Sequence, residues 1–165
     1  MNYLIKSGNL FNESNMVPLY KIRGDISSFN RSILNEEDEL VYKIEVKEKE
    51  DKFLKRVYNI LDKSSCMLGK CEPIYPNRAK ISQVYNDMNE AHVTLSGEEY
   101  FVKMVSTTKY YILDENKHRI LRINHRGVDG GWQIEEKEEM SHSEICVFFI
   151  LCRFLEREKE NLFIR

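Results

Sequence analysis

The densest run of groups able to hold an anion is Lys117, His118, Arg119, Arg122, His125 and Arg126. Few acids interrupt it, and guanidinium and ammonium groups in such numbers suit a phosphate or an anionic headgroup at the rim of a domain. The binding set this suggests is Lys117, Arg119, Arg122 and Arg126. Alternation along a regular strand works against a single patch, because Arg119 and Arg122 then project to opposite faces. A solvated strand with its turns is the plainer reading of the same residues. Gly127 to Trp132 follows directly, and Gly130-Gly131 allows a loop with positive φ. Trp132 is then either an exposed ligand anchor or, more simply, a buried side chain facing the C-terminal segment.

No other residues have the spacing of a catalytic or metal centre. There is no phosphate loop, dinucleotide fingerprint, nucleophile elbow or His-Glu-x-x-His. His92, His118, His125 and His142 lack spaced partners and read as surface residues. Cys66 and Cys71 bracket Met-Leu-Gly-Lys, yet no second Cys pair or His-x-x-x-His completes four zinc ligands. Cys146 and Cys152 fall in an apolar run and read as core fillers. Glu135-Glu136 and Glu138-Glu139 are neighbours in sequence, so alternation separates their carboxylates. Asn35-Glu36-Glu37-Asp38-Glu39 lacks the alternate oxygen ligands and the glycine of a calcium loop and reads as a solvated turn. The expectation is a protein that is not an enzyme and uses no metal or cofactor.

The elements that must position these groups come from one domain over residues 1–165, since division would leave each part too little core. The net charge is -2, from 25 basic and 27 acidic side chains. That balance gives no global field for nucleic acid or acidic membranes, so no nucleic-acid partner is expected and any such binding needs a local patch. The N-terminal Met1 to Phe11 has no apolar run of signal length and carries Lys6 inside its short hydrophobic stretch. The expected location is cytoplasmic, with thiols kept reduced.

From Asn2 to Lys137 short alternating segments are separated by polar turns, the pattern of antiparallel strands. Tyr100, Val102 and Met104, for example, alternate with Glu99, Phe101, Lys103 and Val105. Strands are expected near 2–6, 17–23, 28–34, 39–47, 54–61, 66–70, 79–85, 91–96, 99–105, 109–113, 119–124 and 131–137, about twelve in all. Ser96-Gly97 suits a hairpin turn. Pro73 and Pro76 mark a looser connection. Tyr58-Asn59-Ile60-Leu61-Asp62 is echoed by Tyr110-Tyr111-Ile112-Leu113-Asp114, each Asp opening a polar turn before a second apolar strand. Duplication and a shared hairpin grammar explain this echo equally well.

Ser141 and Glu144 form an S-x-x-E capping box ahead of an apolar stretch. The eight residues Ile145 to Cys152 carry no charge, and Phe154 and Leu155 follow Arg153. A helix on a sheet surface shows a polar stripe over such a length, so one without it is enclosed on all sides. At ~1.5 Å per residue the stretch is too short for a ~30 Å bilayer core. No transmembrane segment is expected. The wall around this helix, placed near 142–159, is therefore the upstream sheet, closed into a barrel wide enough to hold it.

The opening strand Met1 to Lys6, the Tyr-x-Ile-Leu-Asp hairpins at 58 and 110 and the helix Glu144 to Leu155 together resemble the tubby C-terminal-like superfamily, which includes LURP-one-related proteins and phospholipid scramblases. The chain looks most like its compact bacterial members. The resemblance implies a mostly-β, twelve-stranded antiparallel closed barrel around a C-terminal hydrophobic helix, and a non-enzymatic binding or scaffold module. An anionic phospholipid or a protein is the partner it implies. The phosphoinositide-binding residues of animal tubby proteins have no matching positions here, and neither do the palmitoylated or calcium-binding segments of scramblases. A small lipid- or ligand-carrying barrel and a PH-like module of about seven strands capped by an amphipathic helix are the alternatives. The oligomeric state and the role of the tail Asn161 to Arg165 stay open.

Overall fold

The structure, a computed structural model, describes residues 1–24, 30–48, 56–74 and 89–164. Twelve strands alternate their side chains between a dry inside and a wet outside. They are β1 (Asn2–Lys6), β2 (Asn9–Asn12), β3 (Pro18–Gly24), β4 (Arg31–Leu34), β5 (Leu40–Glu48), β6 (Arg56–Asp62), β7 (Met67–Pro73), β8 (Glu90–Leu95), β9 (Glu98–Ser106), β10 (Lys109–Asp114), β11 (Arg119–His125) and β12 (Trp132–Glu136). Every strand pairs antiparallel with the next, and β1 closes on β12 through Tyr3↔Ile134, so the sheet is a closed barrel without an edge.

β2 is a strand that the expected set did not include; four residues are too few for alternation to show. The strand expected at 79–85 lies outside the described residues, as do Pro76 and the first residues expected of strands 28–34 and 54–61. Gly69 is needed where it stands, because a Cβ there would sit 1.9 Å from the Thr94 carbonyl oxygen on β8.

Three hairpins at one end of the barrel are copies of one another. Asn35 Oδ1 accepts from the N–H groups of Glu37 and Glu39, at 3.0 and 2.9 Å. Asp62 Oδ1 does the same with Ser64 and Cys66, at 2.8 and 2.9 Å. Asp114 Oδ1 takes Asn116 and His118, both at 2.9 Å. The fourth residue of each turn, Asp38, Ser65 or Lys117, has φ between 62° and 66°. A register shift precedes each turn, at Ile33/Leu34, Ile60/Leu61 and Ile112/Leu113. The echo read from two segments thus has a third copy, Ser32-Ile33-Leu34-Asn35, in which Asn does the work of Asp.

Among the described residues the one long helix, α1 (His142–Ile164), has 23 residues against the expected 142–159. Its cap forms as the sequence suggested, Ser141 Oγ accepting from the Glu144 N–H at 3.3 Å. Ile145 to Phe148 and Cys152 are fully buried. Phe148 meets Tyr100 of β9 edge-on at 5.0 Å, while Phe154 stacks on Tyr58 of β6 at 4.9 Å. Tyr20 of β3, half-way round the barrel from β9, meets His142 at 6.5 Å, so opposite walls grip the same helix. An eight-stranded barrel is just filled by its own side chains; twelve strands leave room for a helix about 10–12 Å across. At the far end Arg153 pairs with Glu156 and lies 4.9 Å over the Trp132 ring, and Glu156 accepts from the Tyr110 hydroxyl at 3.0 Å. No helix of the described residues is long and apolar enough to cross a membrane.

Candidate functional site

β11 and the turn before it carry three of the four residues expected to bind an anion. In a regular strand Arg119 and Arg122 would point to opposite faces, and that expectation is corrected by the bulge against β10. Ile112 pairs with Leu121 but Leu113 pairs with Arg119, leaving Ile120 as the extra residue. Ile120 and Leu121 both turn into the barrel, 4% and 0% exposed. Arg119 and Arg122 are thereby brought to the same outer face. The cause is the Asp114 turn, whose closure onto His118 demands the register shift.

Around these two arginines the outer wall carries rings as well as charge. Tyr111 lies opposite Arg122 on one side and Lys103 of β9 on the other. The Arg119 guanidinium carbon is 5.3 Å and the Lys109 ammonium 5.5 Å from the centre of the Tyr111 ring. A hydrogen bond from Lys109, with the charges of Lys109 and Arg119, lowers the Tyr111 phenol below its ordinary value of 10.0. Phe101, diagonal to Tyr111 on β9, is covered by Lys117, whose ammonium is 3.2 Å from the ring centre. Lys117 occupies the positive-φ position of the Asp114 turn. Arg122 forms an ion pair with Glu135 of β12, and the strip ends there.

Lys103, Lys109, Phe101 and Tyr111 were not in the expected set. The signal for two of them was present: Phe101 and Lys103 share the polar parity of β9, opposite Tyr100 and Val102. What the sequence could not supply was the register that sets β9 and β10 beside β11.

Arg126 does not join this strip. Lys117 sits in the turn before β11 and Arg126 after its other end, separated by a strand of seven residues, ~23 Å at ~3.3 Å each. The expected four-residue patch is therefore three residues with new neighbours, and Arg126 belongs to the opposite rim. Trp132 is half-buried and faces the helix, 5.9 Å from Phe149, so the anchor reading gives way to the packing one. His142 is not the surface residue expected; its ring packs edge-on against Tyr3 at 5.2 Å. His125 is exposed but engaged, its Nδ1 accepting from the Gly127 N–H at 3.0 Å. His118 lies 3.7 Å from Asp114, and His92 lies 3.6 Å from Glu99. Cys66 is exposed, whereas Cys71, Cys146 and Cys152 are buried.

A surface cleft of about 280 Å³ lies beside the start of α1, lined by Glu98, Tyr100, Asp114, Glu138, Glu139 and Glu144 among others. Burial first, then the Glu98 charge, raises the Glu144 carboxyl above its ordinary 4.5. Among the described residues no three His, Cys, Asp or Glu side chains are grouped to hold a metal ion.

A protein from Arabidopsis thaliana, AT5G01750, solved by X-ray crystallography, shares this architecture. The two superpose with a TM-score of 0.60 at 12% identity, over 94% of this chain and 90% of that one. At that identity the likeness establishes the fold and leaves activity aside. No family model and no curated protein matches the chain.

Proposed function

We propose that this chain is a non-enzymatic binding module of the tubby C-terminal-like and LURP-one-related kind. It works from the outside of its wall and takes a phosphate-bearing anionic ligand on the β9–β11 strip. The observation that carries this reading is the helix inside the barrel. Phe148 and Phe154 pack against separate parts of the wall with 0% and 2% exposure, so the axis a carrier barrel would keep empty is occupied by the chain itself. Recognition then falls to the exterior, where the rings and cations of the strip are gathered. The PH-like alternative called for about seven strands and a capping amphipathic helix, whereas twelve strands enclose an apolar one. Kinship with the superfamily is supported by the barrel-and-helix likeness to the plant protein over nearly the whole chain. Unpaired cysteines, one of them exposed, support a reducing compartment such as the cytoplasm.

Vesicles with and without an anionic phospholipid test the lipid headgroup as the source of the phosphate. Wild-type protein is expected to sediment with anionic vesicles at low salt and to stay in solution with neutral ones. A basic residue near an anionic surface contributes about 1 kcal/mol, and Glu135 already offsets part of the Arg122 charge, so Arg119→Ala with Arg122→Ala should weaken binding roughly five- to thirty-fold. Equal retention on both vesicle types refutes the electrostatic reading. Retention on neither removes the lipid and leaves an anionic macromolecule.

A further inference from the structure

We propose that the β9–β11 strip is a docking surface for single-stranded nucleic acid, with bases stacking on Phe101 and Tyr111 and phosphates held by Lys103, Lys109, Lys117 and Arg119. This rests on the reading of the strip as the working surface and names the ligand class it takes. The two rings are what decide the class. A glycerophospholipid headgroup has no flat face to lay on an aromatic ring, and the carboxylates of an acidic peptide call for cations alone. A nucleobase has such a face, and outward-facing rings interleaved with cations on a sheet face match how sheets bind unpaired strands.

The geometry suits such a strand. Phe101 pairs with Leu113 across β9 and β10, so Tyr111 is its diagonal neighbour, ~7–8 Å away by ordinary sheet spacing. Both rings are half-buried, and the His92 ring of β8 lies 5.2 Å from Phe101. Flexible cations cover them: Lys117 on Phe101, and Lys109 with Arg119 on Tyr111. A base displaces such a cover without breaking any backbone contact, and each displaced cation is left beside the phosphate that follows the base. About two or three bases span the strip. The convex wall offers nothing that enters a duplex groove, and a duplex keeps its base faces stacked inside. The expectation against nucleic acid rested on the net charge of -2, which sums over the whole molecule. Acids line the helix-start cleft and the Asn35 turn, and three border the strip: Glu90 opposite Lys103, Glu99 beside His92, and Glu135. Glu135 pairs with Arg122, which is why Arg122 is left out of the phosphate-holding set.

Fluorescence anisotropy of a labelled oligouridylate, titrated at about 50 mM salt and again at about 200 mM, tests the proposal. Binding should be salt-dependent, with Arg119→Ala reducing the log–log salt slope by about 0.7. Phe101→Ala and Tyr111→Ala should each weaken binding roughly ten-fold while the melting transition persists. Phe101→Leu and Tyr111→Leu remove the ring but keep apolar bulk, and they should lose affinity likewise if the alanine variants fold poorly. A duplex of equal length should bind more weakly than the single strand. The absence of binding at the lower salt, equal binding of the duplex, or affinity that survives both leucine substitutions overturns the proposal. Vesicle retention lost in Arg119→Ala with Arg122→Ala but unchanged in Tyr111→Leu would sink this inference and leave the anionic-lipid reading standing.

Discussion

At Asp114 one carboxylate oxygen accepts from two backbone N–H groups, and the bulge that follows from this turn aligns Arg119 with Arg122. Removing that oxygen should therefore cost stability and loosen the strip together. Asp114→Ala is expected to destabilise by about 1–2 kcal/mol in urea unfolding, while Asp114→Asn stays within about 0.5 kcal/mol. Asn35 already performs the same task in this molecule, so a large loss in the Asn variant would show that charge, not the amide-accepting oxygen, is what matters. Glu144 makes a second residue-scale case. Its folded carboxyl binds a proton more tightly than the unfolded one, because burial and then Glu98 oppose the charge. Ionisation thus works against folding: stability is fullest below the ordinary value of 4.5 and falls as pH rises through the raised folded value. Glu144→Gln should flatten that slope and gain stability at neutral pH. A wild-type slope retained in the Gln variant would place the titration elsewhere.

The helix is an element whose stability comes from its walls. An apolar stretch open on any side would leave rings in water; here Phe148 and Phe154 are held by Tyr100 and Tyr58 on separate strands. Phe148→Ala should cost about 3–5 kcal/mol, and Phe148→Asp should abolish folding because the charge has no partner in the lumen. A soluble Asp variant with a cooperative melt would contradict the enclosure. The hairpins show how much of an element is readable in advance. Tyr58 to Asp62 and Tyr110 to Asp114 announce themselves by shared residues, whereas the third copy at Asn35 hides behind one Asp-to-Asn change and a missing Tyr. The oxygen, not the residue name, is the common physical feature.

Across the whole molecule, closure of the barrel sorts the cysteines into two classes. Cys71, Cys146 and Cys152 are sealed between wall and helix, and burial pushes all three thiols well above the ordinary 9.0. Cys66 stands exposed in the β6–β7 turn. A thiol-reactive dye should label Cys66 at once and the other thiols only as fast as the barrel unfolds. Rapid labelling of a second thiol would mean that the helix leaves the lumen far more easily than its packing allows. The same closure decides where on the surface the charges lie. A balance of -2 holds for the sum, while the folded wall collects rings and cations on β9–β11 and acids beside the start of the helix.

Alternation of apolar and polar residues, the Ser141 capping box and the stripe-free run Ile145 to Leu155 were enough to specify many antiparallel strands around an enclosed helix. These are local patterns, and each reflects a requirement that one segment imposes on its own surroundings. Which residues lie side by side is a different kind of fact. Lys103, Tyr111 and Arg122 are neighbours only because three successive strands share a register, and Arg119 joins them only because a turn inserts one extra residue. Pairing and register depend on the closed sheet as a whole, so the tertiary structure alone could gather the strip and remove Arg126 from it.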